Sequence, residues 1–328
     1  MSAVRENEIR EFLQRCGWGD ARRCPIPQDA SFRRYERLEG TRGRAVLMDA
    51  SPDVEDVRPF VRMARHLIAA GLSAPAILES DVTRGFLLLE DLGDDLYNRI
   101  LDKGADEGLL YRAAVEALVE LHRTPVPEDL PSYSDDLFLF EVSLVTDWFM
   151  PLAGLEISRA GRDDFLSLWR DLLPLARRVP TCVVLRDYHA DNLLWLPVRD
   201  GVARVGQLDF QDAVAGPVTY DIVSLLEDVR RSVSPETVET CRARYLDLMP
   251  HVDPELFATS ATIMTAQRNL KIAGIFSRLL GRDGKAAYQQ FMPRTWALVT
   301  DSLASRHLAP LAAWLDRWIP PQARRAVT

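Results

Sequence analysis

The stretch Leu185-Arg-Asp-Tyr-His-Ala-Asp-Asn-Leu-Leu-Trp195 decides how this chain is interpreted. It contains Asp187 and Asn192 in the spacing Asp-x-x-x-x-Asn, followed by an apolar, β-prone run. In catalytic loops that transfer phosphoryl groups, an Asp at the first position accepts the proton of a substrate hydroxyl. The Asn at the second position supplies an amide oxygen to a metal ion. The spacing therefore predicts Asp187 as the catalytic residue and Asn192 as a metal ligand.

A second apolar run, residues 202–208, ends at Asp209. Between the two runs stands Asp200-Gly201, a pair of residues typical of hairpin turns. A hairpin here would return Asp209 to the side of Asn192. One carboxylate and one amide oxygen would then converge, and Mg²⁺ prefers a few protein oxygens of this kind together with phosphate oxygens. The pattern predicts Asp209 as a second Mg²⁺ ligand.

Composition narrows the class of protein. The chain has 328 residues, of which 47% are hydrophobic and 27% charged, as expected of a globular protein with a sizeable core. A net charge of −8 argues against nucleic acid as the main ligand, since binding to a phosphate backbone requires a basic face. The four cysteines lack the spacing of a zinc site, and no signal peptide or membrane span is evident. We expect a cytoplasmic protein, with its oligomeric state left open.

The two parts of the chain differ in their predicted secondary structure. After a helix over residues 4–16, strands are predicted at 33–38, 44–49, 76–79 and 85–90, with a helix at 52–70 that begins at the Ser51-Pro52 pair. From residue 94 the pattern is mostly helical, and residues 295–318 are expected to form one helix. The sequence predicts an α+β protein with a small strand-rich lobe, residues 1–91, and a large helical lobe, residues 92–328.

The first lobe supplies candidates for nucleotide binding. Residues 28–38 pass from small polar residues into a strand, so the loop at residues 29–31 is expected to cover phosphates, with Ser31 as a donor. A plain β-hairpin is an equally good interpretation of this segment. The segment from Glu90 to Asp95, which includes Leu92, is the predicted hinge between the lobes, and in a kinase-like fold its backbone would face the adenine.

These residues resemble those of the aminoglycoside phosphotransferase and choline kinase superfamily, which has a bilobal protein-kinase-like fold. The resemblance rests on Tyr188-His-Ala-Asp-Asn192, Leu208-Asp-Phe-Gln-Asp212 and Gly216-Pro-Val-Thr-Tyr-Asp221. It implies an ATP- and Mg²⁺-dependent kinase of a small molecule. Within the superfamily the chain is most similar to bacterial kinases of cell-wall recycling, which phosphorylate the anomeric hydroxyl of N-acetylmuramate and N-acetylglucosamine. The expected ligands are an amino sugar and a nucleotide, without a nucleic acid or membrane partner.

Two departures from the family pattern stand out. The family usually has His-Gly-Asp where this chain has Leu185-Arg186-Asp187, and Met48 occupies the expected position of the phosphate-binding Lys. A thioether cannot neutralise phosphate, so Arg33, Arg34 or Arg44 is expected to supply the charge.

Other interpretations remain open at this stage. The acceptor pocket is expected to use His189 together with three polar residues of one helix, namely Gln267, Arg268 and Lys271. Lys271 would offer a cation to the lactyl carboxylate of N-acetylmuramate, and a buried structural role is about as plausible. The chain is alternatively a kinase of an aminoglycoside or a choline-like amine, or, given Met48, a nucleotide-binding protein without catalytic activity.

Overall fold

The structure is a computed structural model that describes residues 3–27 and 33–327. Its helices are α1 (Ala3–Arg15), α2 (Arg58–Ala69), α3 (Tyr97–Leu101), α4 (Glu107–Arg123), α5 (Asp135–Leu144), α6 (Met150–Leu152), α7 (Arg159–Ala176), α8 (Thr219–Leu226), α9 (Pro235–Leu248), α10 (Pro254–Asp283), α11 (Met292–Ser302) and α12 (Ala309–Trp318). Its strands are β1 (Arg22–Ile26), β2 (Arg34–Gly40), β3 (Gly43–Asp49), β4 (Ile77–Asp81), β5 (Phe86–Glu90), β6 (Thr181–Val184), β7 (Leu193–Trp195), β8 (Val205–Gln207) and β9 (Val214–Pro217). The predicted α+β class is confirmed.

One compact unit consists of Met1–Gly104 together with Asp191–Asp212. Five antiparallel strands form its sheet in the order β1-β2-β3-β5-β4. Side chains alternate along a strand, so one face of this sheet presents Leu38, Leu47 and Phe86 to the apolar side of α1. The hairpin β7–β8 belongs to the same unit, and the backbone N–H of Gln207 donates to the carbonyl of Ser73 at 2.8 Å.

The second compact unit consists of Ala105–Ala190 and Ala213–Thr328. Its longest element is α10, a buried helix of 30 residues that packs against α5, α7, α8 and α11. The short strands β6 and β9 pair antiparallel, and the Asp187 turn follows β6 directly. The two units are defined by which residues pack against one another. The predicted division of the chain after residue 91 stays a prediction. Within the part of the chain that the structure describes, no helix is both long and apolar enough to span a bilayer.

Three predicted details are wrong. Helix α2 begins at Arg58 because residues 52–55 form a turn on the Ser51 carbonyl, and Pro59 is the proline in the first helical turn. The β7–β8 connection is a longer loop with a 3₁₀ turn at Gly201–Arg204, in place of a tight turn at Asp200-Gly201. The helix expected over residues 295–318 is two helices, because Pro310 in the first turn of α12 cannot continue a preceding helix.

Gly274 provides a test of how closely α10 packs on α5. A Cβ atom built there would lie 2.4 Å from the backbone carbon of Leu144, whereas one at Gly281 would lie 3.3 Å from the flexible end of Leu152. We expect Gly274→Ala to lower the free energy of unfolding by about 1–3 kcal/mol, the usual cost of overpacking. Gly281→Ala, on the same helix, should stay within about 1 kcal/mol of wild type. Denaturant unfolding measures both, and equal stabilities would contradict this account of the α10–α5 contact.

Candidate active site

The β7–β8 hairpin brings two of the predicted metal ligands together. Asn192 precedes β7, and its carbonyl oxygen accepts a hydrogen bond from the backbone N–H of Leu208 at 2.9 Å. Asp209 follows Leu208 with a φ of 56°, in the left-handed region that few non-glycine residues adopt. Such a conformation at the end of a strand is common at functional sites, where it directs a side chain away from the strand.

The surroundings of Asp209 suit a hard cation. Gln211 donates to Asp209 Oδ1 at 2.9 Å and to Asp212 Oδ2 at 3.1 Å, so two carboxylates and an amide lie together. Among the described residues there is no group of three or more His, Cys, Asp or Glu side chains that would hold a metal without help. A carboxylate and an amide oxygen fit Mg²⁺ when phosphate oxygens complete its shell. The assignment of Asn192 and Asp209 as Mg²⁺ ligands stays a prediction.

Met48 and Arg33, a candidate for binding phosphate, both lie at the five-stranded sheet. Met48 is fully buried on β3, opposite Tyr35 of β2, on the face of the sheet that is turned away from α1. Arg33, which leads into β2, places Nη1 3.6 Å from Asp209 Oδ1 and Nε 3.1 Å from Glu55 Oε1. A buried guanidinium thus lies beside the predicted metal carboxylate.

The other two candidate arginines have different surroundings. Arg34 pairs with Asp49, a buried carboxylate that also binds Arg5 at 2.6 Å. By strand alternation this pair lies on the α1 face of the sheet. Arg44 is largely exposed near the β2–β3 turn and lies 3.3 Å from Glu39. The structure therefore favours Arg33 for the missing phosphate charge.

The remaining nucleotide candidates are less defined. Glu90, at the end of β5, pairs with Arg199 and accepts a bond from the Ala76 N–H at 3.3 Å. Leu92 is half-buried in the segment that follows. Ser31 lies outside the described residues. A nucleotide role for these three residues stays a prediction.

Asp187 lies on a turn that a buried carboxylate braces. Asp221, fully buried in the first turn of α8, accepts the backbone N–H of Leu185 at 2.6 Å and that of Arg186 at 2.9 Å. Burial raises the pKa of Asp221 to about 7, although these two hydrogen bonds act in the opposite direction. Arg186 has a φ of 72°, so the turn contains a left-handed residue immediately before Asp187.

The charge around Asp187 favours its ionised form. The side chain is half-buried, and burial alone would raise its pKa. The positive charge of Lys271 is the largest opposing effect, and His189 and Arg186 add to it, so the pKa lies below the ordinary value. Asp187 is therefore ionised at neutral pH and able to accept a proton.

A second buried carboxylate, Glu141 of α5, gathers four donors. Lys271 lies 2.9 Å from Oε1, and Arg186 pairs with the same oxygen. The Tyr133 hydroxyl donates to Oε2 at 2.5 Å, and the Gln267 side-chain amide donates to it at 3.0 Å. The ammonium of Lys271 is thus already paired inside the protein, which favours its structural role over contact with a lactyl carboxylate.

His189 and Arg268 are also buried in this unit. His189 Nε2 lies 3.5 Å from Arg230 Nη1, and burial is the main reason that the pKa of His189 is lowered. The charge of Arg268 acts on both His189 and Asp187. Four of the predicted residues, Asp187, His189, Gln267 and Arg268, therefore belong to one buried polar region of this unit. Their contacts with substrate stay a prediction.

Sequence reasoning missed three residues of this region: Glu141, Asp228 and Arg230. Glu141 stands in the apolar segment Phe138-Leu-Phe-Glu-Val142, where a lone carboxylate is a recognisable anomaly. Asp228 and Arg230 follow an apolar helix without any such pattern. A braced Asp turn beside a cationic network, and a carboxylate–amide pair on a hairpin, are the features expected of a phosphoryl-transfer enzyme.

Comparisons with known proteins agree with this class. The chain belongs to the phosphotransferase enzyme family, which it matches over residues 22–254. It is 37% identical to a protein of Caulobacter vibrioides named N-acetylmuramate/N-acetylglucosamine kinase, with 99% of each chain covered. A protein of the same name from Pseudomonas putida is 35% identical, with 92% of this chain and 90% of that protein covered.

A solved structure shows the same fold. The choline kinase of Streptococcus pneumoniae superimposes with a TM-score of 0.65 at 13% identity, covering 92% of this chain and 100% of that one. The predicted superfamily and its kinase-like fold are confirmed.

Arg33 can be tested against the two other arginines. We expect Arg33→Met to raise KM for ATP at least about tenfold, because a charge-assisted hydrogen bond contributes about 1.5–3 kcal/mol. Arg44→Met is the matched control and should keep the wild-type KM, as should Arg34→Met. Steady-state kinetics at saturating acceptor measures this, with thermal melting to exclude unfolding. Wild-type behaviour of all three variants would assign the phosphate charge to the metal alone or to another residue of the chain.

Proposed function

We propose that this chain is an ATP- and Mg²⁺-dependent kinase of amino sugars. It transfers the γ-phosphoryl group to the anomeric hydroxyl of N-acetylmuramate and N-acetylglucosamine, in peptidoglycan recycling. The observation that carries the proposal is the 37% identity to a kinase named for these two sugars, over 99% of both chains. An aminoglycoside or choline acceptor has only the likeness of fold in its support.

The residues take distinct roles in the proposed reaction. Asp187 orients the acceptor hydroxyl and accepts its proton, and its lowered pKa keeps it ionised for this task. Asn192 and Asp209 would hold Mg²⁺, which neutralises charge on the phosphate oxygens when it is bound. Arg33 adds a positive charge beside Asp209. This charge would replace that of the family's lysine, whose position in the sequence is occupied by Met48.

The anomeric hydroxyl suits a site with one carboxylate base. It is more acidic than the other hydroxyls of a sugar, so less driving force is needed to transfer its proton to Asp187. The 1-phosphates are therefore the expected products.

Replacement of Asp187 tests its proposed role. We expect Asp187→Asn to lower kcat by roughly 10²–10⁴, the usual contribution of a positioned base, with little change in the melting temperature. Asp200→Asn, at an exposed position of the hairpin loop, is the matched control and should keep full activity. Turnover near the wild-type rate in a folded Asp187→Asn protein would refute the assignment.

An acceptor panel tests the proposed substrate. N-acetylglucosamine and N-acetylmuramate should give 1-phosphates, identified by ³¹P NMR, whereas their 1-O-methyl glycosides should be inert because they lack the reacting hydroxyl. Aminoglycosides and choline serve as competing acceptors in the same assay. A 6-phosphate product, or rapid turnover of the methyl glycosides, would overturn the anomeric assignment. Turnover of only choline or an aminoglycoside would overturn the choice of sugar.

A further inference from the structure

Two buried charged residues near the Asp187 turn each have an atom that lacks a hydrogen-bond partner. Arg268 is 3% exposed, and its Nη1 donates to none of the residues described in the structure. Asp228 is fully buried, and its Oδ1 accepts the backbone N–H of Arg230 at 2.9 Å. Asp228 Oδ2 has no partner within residues 3–27 and 33–327. Buried charged groups without partners are costly, so a native protein retains them where something else completes their bonds.

These two groups lie in the same region as Asp187. Arg230 connects Asp228 to His189, two residues after Asp187, because its backbone N–H binds Asp228 and its Nη1 lies 3.5 Å from His189 Nε2. The charges of Asp228 and Arg268 both act on the His189 ring, and that of Arg268 also acts on Asp187. One unpartnered donor and one unpartnered acceptor therefore lie in the same compact unit as the proposed base, and the charges of both residues act on His189, two residues after it.

An amide group requires this pair of partners. Its carbonyl oxygen accepts a hydrogen bond and its N–H donates one, through two separate atoms, whereas a hydroxyl does both through a single oxygen and an ionised carboxylate only accepts. The 2-acetamido group is common to N-acetylglucosamine and N-acetylmuramate. It stands on the carbon next to the anomeric one, so it lies beside the hydroxyl that Asp187 would orient.

Building on the proposed function, we propose that Arg268 and Asp228 bind the 2-acetamido group of the acceptor sugar. Arg268 Nη1 donates to the acetyl carbonyl, and Asp228 Oδ2 accepts the amide N–H. A site built to bind a polar group rejects an analogue that lacks it, because the protein's own polar groups then stay unpaired. These two residues thus determine specificity for N-acetylated sugars over plain hexoses.

Neighbouring residues are less suitable for this task. Lys271 is already paired with Glu141 and donates to the Tyr220 hydroxyl at 3.2 Å. The Gln267 amide nitrogen is likewise bound to Glu141. Gln267 Oε1 is buried without a partner among the described residues, but it is an acceptor and cannot replace the Arg268 donor.

The test compares kcat/KM for N-acetylglucosamine with kcat/KM for glucose. Turnover of glucose is measured at high enzyme concentration, under single-turnover conditions. We expect Arg268→Met and Asp228→Ala each to lower kcat/KM for N-acetylglucosamine at least tenfold, with a change below threefold for glucose. The ratio of kcat/KM for N-acetylglucosamine to that for glucose then falls by more than about threefold. Arg278→Met is the matched control on α10, ten residues and about 15 Å along the helix, and should leave both values unchanged.

The outcomes separate this proposal from the one on which it rests. If wild type phosphorylates neither amino sugar, both proposals fail. If wild type is active and the variants lose glucose and N-acetylglucosamine turnover equally, only the acetamido subsite is refuted. Loss confined to N-acetylmuramate would also refute it, because Arg268 would then recognise the lactyl carboxylate. Should either variant fail to fold, Arg268→Lys and Asp228→Asn keep the size of each group, and the same fall in preference is expected of them.

Discussion

The carboxylate of Asp221 holds the turn on which the active site depends. It accepts the N–H groups of both Leu185 and Arg186, the two residues that precede Asp187. Two hydrogen bonds from consecutive backbone groups to one buried acceptor restrict the orientation of the peptide between them. That restriction applies to the residue immediately before Asp187 and so limits the directions open to the Asp187 side chain. Asp221 thus acts on the backbone of the turn, immediately before the proposed base Asp187.

Glu141 holds charged side chains near the turn, as Asp221 holds its backbone. Burial would raise the pKa of Glu141, but Lys271 and Arg186 outweigh it and keep the carboxylate charged. Two cations share its oxygens, so positive charge remains in excess and acts on Asp187. Removal of one member of such a network leaves the others buried without partners, which makes the arrangement costly to break. The network therefore joins α5, α10 and the catalytic turn into one electrostatic unit.

Local patterns explain what could be predicted from sequence. The hairpin that returns Asp209 to Asn192 is encoded by neighbouring apolar runs, and the class of fold follows from strand and helix periodicity. The partners of Glu141 and Asp228 could not be predicted in this way. Gln267 is 126 residues from Glu141 along the chain, and no spacing rule relates them. The sequence leaves the role of Lys271 open for the same reason, since its carboxylate partner lies on a helix whose packing the sequence does not reveal.

The contacts of Arg186 explain how this chain accommodates an arginine where the family's His-Gly-Asp pattern has glycine. A left-handed φ is natural for glycine and costs a residue with a Cβ roughly 1–2 kcal/mol. The arginine at this position keeps that conformation, with a φ of 72°, and contributes a guanidinium that a glycine cannot offer. That guanidinium binds the buried Glu141, while Asp221 accepts the backbone N–H groups of Leu185 and Arg186. The strained residue is therefore held from both sides, through its N–H and through its side chain, immediately beside the proposed base.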